Sequence, residues 1–367
     1  TGCHAQTDPD QIRSIKEVDQ IIGNTDKSSI ADRITDICAS DTPLPFSHPS
    51  HGKTNRFLDF ETTVKGRMTR AYLKIQDGCN AFCSYCIVPY ARGSSVSMPE
   101  ETVFRHLQNL CQDGYKEVIL TGIHIGMYGL EMAPRSSLLA LLEKINRDQP
   151  IHRIRLSSIE PGEISTGMIQ LARPGNILCD HFHIPLQSGD DEILKQMRRP
   201  YDRALFSEIV HKISHELPHA CIGVDTLIGF PGETDRQFDN TYKLIEQLPI
   251  AYLHVFPFSA RKKTAAYHYT PKVDSDRIKE RCARMRELGQ QKRQAFIMAN
   301  MGRCLEAVVQ HAPATRSGHV KAVTRNYLTI LLKKKEALPG TVIHVVPEHC
   351  DKTQAIFGRC ADSSDPA

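Results

Sequence analysis

The sequence predicts an α/β chain built on six β-α repeats and followed by a small all-β module. Three observations carry that prediction. From about residue 70, apolar runs of strand character alternate with amphipathic runs of helical spacing. Several of the strand runs end in polar or glycine residues, at the side of a parallel sheet where reactive groups gather. Beyond about residue 300 the helical runs stop, and short strands follow one another across tight turns.

The strand candidates are 71–78, 117–125, 152–158, 181–188, 222–230 and 252–259. Between the first two lies PEETVFRHLQNLCQDG, where Pro99 suits a first helical turn and Gly114 a C-terminal cap. In YDRALFSEIVHKISHEL, Leu205, Ile209 and Ile213 recur at spacings of four. Repeats of this kind make a parallel sheet, either open or curled into a partial barrel. A long basic helix is expected from Ser275 to Asn300, carrying Arg277, Lys279, Arg281, Arg284, Arg286, Lys292 and Arg293. The runs 304–310, 319–332, 341–350 and 355–359 then read as the strands of a small closed barrel. At the other end, residues 1–24 read as the tail of a further α/β unit with VDQIIGN as a strand, and 25–65 as an irregular connector.

Composition narrows the function classes. With 40% hydrophobic and 24% charged residues, the 367-residue chain has material for a sizeable core. A net charge of +4 gives no strong polyanion field, so any nucleic-acid contact must come from local clusters. No run approaches the ~18 apolar residues of a membrane span, and no secretory leader pattern opens the chain. A cytoplasmic protein is expected. Its twelve cysteines then read as thiols or metal ligands rather than disulfides.

The cysteines that matter follow the first strand. Cys79, Cys83 and Cys86 are spaced C-x3-C-x2-C, one thiol too many for a disulfide and one too few for a closed four-ligand site. Three thiolates can hold three irons of a [4Fe–4S] cube and leave the fourth open. The alternative is a zinc knuckle completed by a distant His or Cys, although this spacing matches none of the usual zinc patterns. The other cysteines (Cys38, Cys111, Cys179, Cys221, Cys282, Cys304, Cys350, Cys360) show no ligand spacing, and Cys111 falls on an apolar helical stripe expected in the core. His181 and His183 alternate on one strand face, where packing inside the barrel is expected. The SGDD stretch, 188–191, reads as a helix N-cap.

The segment QDGCNAFCSYCIVPYARG resembles the signature of radical S-adenosylmethionine (SAM) enzymes, whose core is a partial (β/α)6 barrel. RLSSIEPGE (155–163), HIPLQSGDDEILKQMRRPY (183–201) and DTLIGFPGET (225–234) are similar to the methylthiotransferase branch. Within it they most resemble the tRNA enzymes acting on N6-threonylcarbamoyladenosine beside the anticodon. Relatives acting on isopentenyladenosine in tRNA, or on a ribosomal-protein aspartate, usually carry Glu where this chain has Asp77. The resemblance implies a [4Fe–4S] cluster on Cys79, Cys83 and Cys86 whose open iron takes SAM. It implies SAM contacts from Tyr85, Thr121, Gly122, Ser158, Glu160, Gln187 and Gly229, and it supplies no general acid or base. Thr1-Gly2-Cys3 looks like the end of the branch's N-terminal domain, which makes Cys3 one ligand of an auxiliary [4Fe–4S] cluster with partners upstream of residue 1. Without them the expected outcome is SAM cleavage but no completed methylthiolation.

The C-terminal module resembles the TRAM domain, an RNA-binding barrel of OB type. From residue 299 onward it has nine Lys/Arg against six Asp/Glu. Lys321, Arg325, Tyr327, Lys333, Lys334 and Lys335 are its candidate RNA contacts, with Tyr327 placed to stack a base. A solvated turn would explain the Lys333–Lys335 run equally. The expected organisation is therefore 1–64 for the N-terminal remnant and linker, 65–298 for the core, and 299–362 for the β-domain. The expected partner is the anticodon stem-loop of tRNA, with an electron donor and a sulfur source. A reading from another class is an RNA-binding protein with a structural metal.

Overall fold

The structure, a computed structural model, describes residues 1–24, 26–39, 57–59, 68–313 and 318–362. The six repeats form as expected. Strands β1 (Arg70–Lys74), β2 (Glu117–Thr121) and β3 (Arg153–Leu156) pair in parallel, with Leu120 opposite both Leu73 and Leu156. Strands β4 (His181–Gln187), β5 (Cys221–Ile228) and β6 (Tyr252–Pro257) do the same, with Val224 opposite Ile184 and Leu253. The halves meet through single bridges, Ile154 with Leu178 and Ser158 with His183. Among the described residues no ladder joins β1 to β6. The sheet is thus a partial barrel, open along one side.

Alternation decides what faces where. On β1, Ala71 and Leu73 enter the main core under the outer helices, while Tyr72 is half-exposed on the concave side. The outer helices are α1 (Glu100–Gln112), α2 (Leu138–Asp148), α3 (Thr166–Leu171), α4 (Arg203–Glu216), α5 (Asp235–Gln247) and α6 (Ser275–Ala299). Ser137, Ser165, Asp202, Thr234 and Asp274 cap α2 to α6, each side chain accepting an otherwise unpartnered first-turn amide. Asp190 does the same for the short helix Asp191–Gln196.

Four expectations need correction. Pro99 is the N-cap of α1 rather than a residue of its first turn. Cys111 is exposed: α1 buries Val103, His106, Leu107 and Leu110, and the next residue turns about 100° away from that stripe. The VDQIIGN stretch forms no ladder among the described residues; Ile21 and Ile22 bury as a loop instead. The connector begins with an amphipathic helix, Ile30–Ala39. Most of the remaining connector lies outside the described residues.

The C-terminal strands β7 (Leu305–Pro313), β8 (His319–Thr324), β9 (Thr329–Lys333), β10 (Val342–Cys350) and β11 (Ile356–Cys360) close into a barrel. Its β8–β9 turn caps the floor of the large barrel, at the end where the parallel strands begin. There Arg153 donates to the Val323 carbonyl at 2.9 Å, and Arg155 to those of Thr324 and Arg325 at 3.0 and 2.8 Å. Both guanidiniums are buried with Glu117, whose carboxyl they hold far below its usual range despite its burial.

Candidate active site

The cysteine loop leaves the opposite end of the barrel, after β1. Gln76 and Asp77 pair antiparallel with Val96 and Ser97, so the loop starts and finishes at one place. Buried Gln76 knits it together. Its Nε2 donates to the Asp77 and Gly78 carbonyls and to Ser95 Oγ, and its Oε1 accepts the His124 amide at 2.8 Å. Gly78 has φ +72°, and a Cβ there would lie 2.0 Å from the Ser94 carbonyl oxygen. Only glycine lets the two loop arms approach that closely. Asp77 accepts from the Gly78 amide and pairs with Lys74 and Arg92, which hold its carboxyl below the usual range against the effect of burial.

Around the thiols stand Arg199, His124 and Glu163, which sequence reasoning missed, together with the expected Tyr85 and Glu160. Arg199 Nη1 donates to Cys83 Sγ at 3.3 Å and reaches the Tyr85 hydroxyl at 3.5 Å, while its Nη2 pairs with Glu160. His124 Nδ1 lies 3.5 Å from Cys79 Sγ, and its Nε2 lies 2.7 Å from Glu163. Burial works against a charged ring there, but the bonds to Cys79 and Glu163 raise the imidazole to about 10. Burial also pushes the Cys86 thiol up to about 11. Tyr85 packs with Ile193, Met197, Phe230 and Ala266, so the loop is seated on the ends of β4 and β5 as well as β1. The one available signal for His124 and Arg199 was position: each is a charged residue shortly beyond a strand end or its following helix.

The donor set fits a cluster. Three free thiols stand on one loop, with the Ala81 amide donating to Cys79 Sγ at 3.4 Å and Arg199 to Cys83. Three cysteine thiolates on one loop are the ligand type and number that hold three irons of a [4Fe–4S] cube.

The other expected residues are spread unevenly. Thr121 ends β2, and Gly122 packs under Gln76, where a Cβ would come within 2.8 Å of Oε1. Gln187 ends β4 with φ +63°. Ser158 is exposed beside the β3–β4 bridge. Gly229 has φ +81°, and a Cβ would meet Ile278 at 2.4 Å, so helix packing accounts for it. Cys3 begins a short helix, Cys3–Thr7, and its thiol lies against the Arg92 guanidinium on the rim of the cysteine loop. Lys263 Nζ donates to the Thr7 carbonyl at 2.7 Å, tying that segment to the loop after β6. Cys350 and Cys360 sit opposite Ile356 and Val345, so their strand register does not bring them together.

Inside the barrel, His183 Nε2 lies 2.8 Å and His254 Nδ1 3.2 Å from Asp225 Oδ1, and the Tyr252 hydroxyl joins His181 to His183. The two imidazoles hold Asp225 at about 2 despite its burial, and that carboxylate raises His254 in turn. Half-exposed Tyr72, His254 and Phe256 leave this concave face accessible. Arg325 and Tyr327 lie in the seam. Arg325 donates to the Asn176 and Leu178 carbonyls, and Tyr327 stacks on His181 at 4.3 Å with Arg155 over its ring. Lys333, Lys334 and Lys335 are exposed together at a turn, and Lys321 is half-buried on β8.

Comparisons with known proteins agree with this arrangement. Residues 73–245 match the model of the radical SAM superfamily. The chain is 35% identical over 330 residues to threonylcarbamoyladenosine tRNA methylthiotransferase MtaB of Aquifex aeolicus, covering 90% of this chain and 78% of that one. It is 34% identical over 347 residues to the protein of that name from Bacillus subtilis, covering 94% and 77%. The tRNA-2-methylthio-N(6)-dimethylallyladenosine synthase of Pelotomaculum thermopropionicum is 32% identical over 276 residues, 75% of this chain and 62% of that one.

Proposed function

The chain belongs to the radical SAM tRNA methylthiotransferases, and from that premise we propose that it methylthiolates C2 of N6-threonylcarbamoyladenosine beside the anticodon, in the cytoplasm. Its cofactors are a [4Fe–4S] cluster and SAM. The observation that favours this substrate is identity to the relatives: those named for threonylcarbamoyladenosine are 33–35% identical to the chain, and the dimethylallyladenosine enzymes 31–32%. A concave wall bearing His183, Asp225 and His254 also suits a substituent with carboxylate and hydroxyl groups better than an isoprenoid.

Cys79, Cys83 and Cys86 would hold the cluster. When bound, cluster and SAM together supply a one-electron cleavage that yields a reactive carbon radical. The chain's own work is positioning and shielding. Gln76 and Gly78 fix the loop, and Arg199 places a cation on Cys83 Sγ, a contact that tunes the potential of a thiolate-bound cluster. Glu160 and Tyr85, both held by Arg199, border the place where SAM would lie. Cys3, on the same rim, would contribute to an auxiliary cluster. Exposed Lys333, Lys334 and Lys335, with Lys321, would contact RNA phosphates.

Nucleoside mass spectrometry on tRNA from a strain lacking the gene tests the substrate. The expected result is loss of 2-methylthio-N6-threonylcarbamoyladenosine with its precursor retained. Loss of the methylthio-isopentenyl nucleoside instead would overturn the choice.

A further inference from the structure

The seven cations of α6 do not form one solvated face. Arg277 and Arg281 pair with Asp235, and Arg281 also with Glu233. Lys279 pairs with Asp276, Arg284 with Asp239, and Lys292 donates to the Glu246 and Leu248 carbonyls. That leaves Arg286 and Arg293, for which no carboxylate among the described residues stands within ion-pair distance. They are seven residues apart, so they share a face about 10.5 Å long.

Both arginines line a cleft of about 540 Å³ at the open side of the barrel, between α6, the β1 and β6 edges and the β-domain. Arg70 and His254 line it too, and none of its lining residues is acidic. Arg70 answers to Glu117 at 3.5 Å and His254 to Asp225 at 3.2 Å, both from outside the cleft. Arg286 and Arg293 therefore face a recess whose lining offers them no counter-charge, and half-buried Arg293 has given up part of its hydration with nothing in return. The arrangement is complete only with anions in it. A single small anion cannot bridge two guanidiniums rooted about 10.5 Å apart as well as a run of phosphates can.

We infer that this cleft holds the phosphodiester backbone of the RNA substrate at the open side of the barrel, with Arg286 and Arg293 as its phosphate contacts. The inference rests on the reading that the chain acts on tRNA. It places the RNA across the junction of core and β-domain, beside the gap through which a nucleotide reaches the concave wall.

The test is binding of an anticodon stem-loop RNA by the full chain, wild type against the double variant Arg286→Ala/Arg293→Ala, across a salt series. Two lost phosphate contacts should flatten the log–log salt slope by about 1.5 and weaken binding. The Arg286→Lys/Arg293→Lys variant should restore most of the slope, and SAM cleavage without RNA should stay at the wild-type rate. Equal slopes for wild type and the alanine variant would overturn the cleft while leaving the tRNA reading intact. Wild-type chain that binds no stem-loop would overturn that reading itself. Stem-loops with and without the threonylcarbamoyl group separate the anion's source. A loss seen only with the modified RNA would assign the arginines to the substrate's carboxylate and refute the phosphate assignment.

Discussion

At the scale of single residues, the cysteine loop depends on neighbours that do no chemistry. Gly78 illustrates the point. Its φ of +72° is strained for any L side chain, and a Cβ would lie 2.0 Å from a backbone oxygen that no rotamer can move. Gly78→Ala must therefore part the loop arms, breaking the hydrogen bond that the Cys79 amide donates to the Gly93 carbonyl. The chain itself should survive, since the loop lies apart from the main core. The expected outcome is a folded protein that loads markedly less iron on anaerobic reconstitution, read as lost absorbance near ~400 nm. Wild-type iron content in that variant would refute the role given to Gly78. Cys83→Ala should abolish both the absorbance and 5′-deoxyadenosine formation, and retained SAM cleavage would remove Cys83 from the ligand set.

At the scale of elements, strands and helices were readable because their periodicities are local. All six parallel strands fall inside the expected runs or within one residue of them, and α6 matches its expected span to one residue. Three thiols at fixed spacing are equally local. The failures are contacts between segments distant in sequence. Arg199 and Cys83 are 116 residues apart, and no pattern in either stretch announces the pair. Tyr327 carried the right chemistry for stacking a base, yet its partner is His181, brought beneath it by the packing of β-domain on barrel. The floor network consists of such contacts. Glu117 on β2 is wholly buried between Arg153 and Arg155 on β3, and both arginines reach the end of β8, Arg155 also the turn beyond it. Removing one member strands a buried charge, at a cost of about 3–5 kcal/mol. Glu117→Ala should accordingly lower the unfolding midpoint strongly, and far-UV circular dichroism against temperature would reveal it. A midpoint within 1–2 °C of wild type, roughly the scale of a neutral surface change, would refute the network's contribution.

At the scale of the molecule, the two ends of the barrel have separate duties. The strand ends carry the cysteine loop, and the strand beginnings are sealed by the β-domain through ionisable groups. That division makes the attachment of the β-domain dependent on pH in a definite sense. Glu306 on β7 lies 3.0 Å from Arg153 and 3.3 Å from His152 of the barrel, and Arg325 is near. Burial alone would raise its carboxyl, but the hydrogen bond to His152 and the Arg153 and Arg325 guanidiniums hold it at about 2, below the 4.5 of a free glutamate. A carboxyl whose pKa is depressed by folding stabilises the native state at pH above its unfolded value, and the contribution disappears as pH falls through the folded value. The contribution of Glu306 should therefore be complete above about pH 5, shrink from about 4.5 downward, and be gone near 2. Urea unfolding of the cluster-free chain at stepped pH, wild type beside Glu306→Gln, isolates it. The two proteins should differ most near neutrality and converge in acid, because glutamine mimics the protonated side chain at every pH. A difference that stays constant from pH 7 to 3 would mean that Glu306 acts through shape rather than charge, and that the seam is not the acid-labile junction its geometry describes.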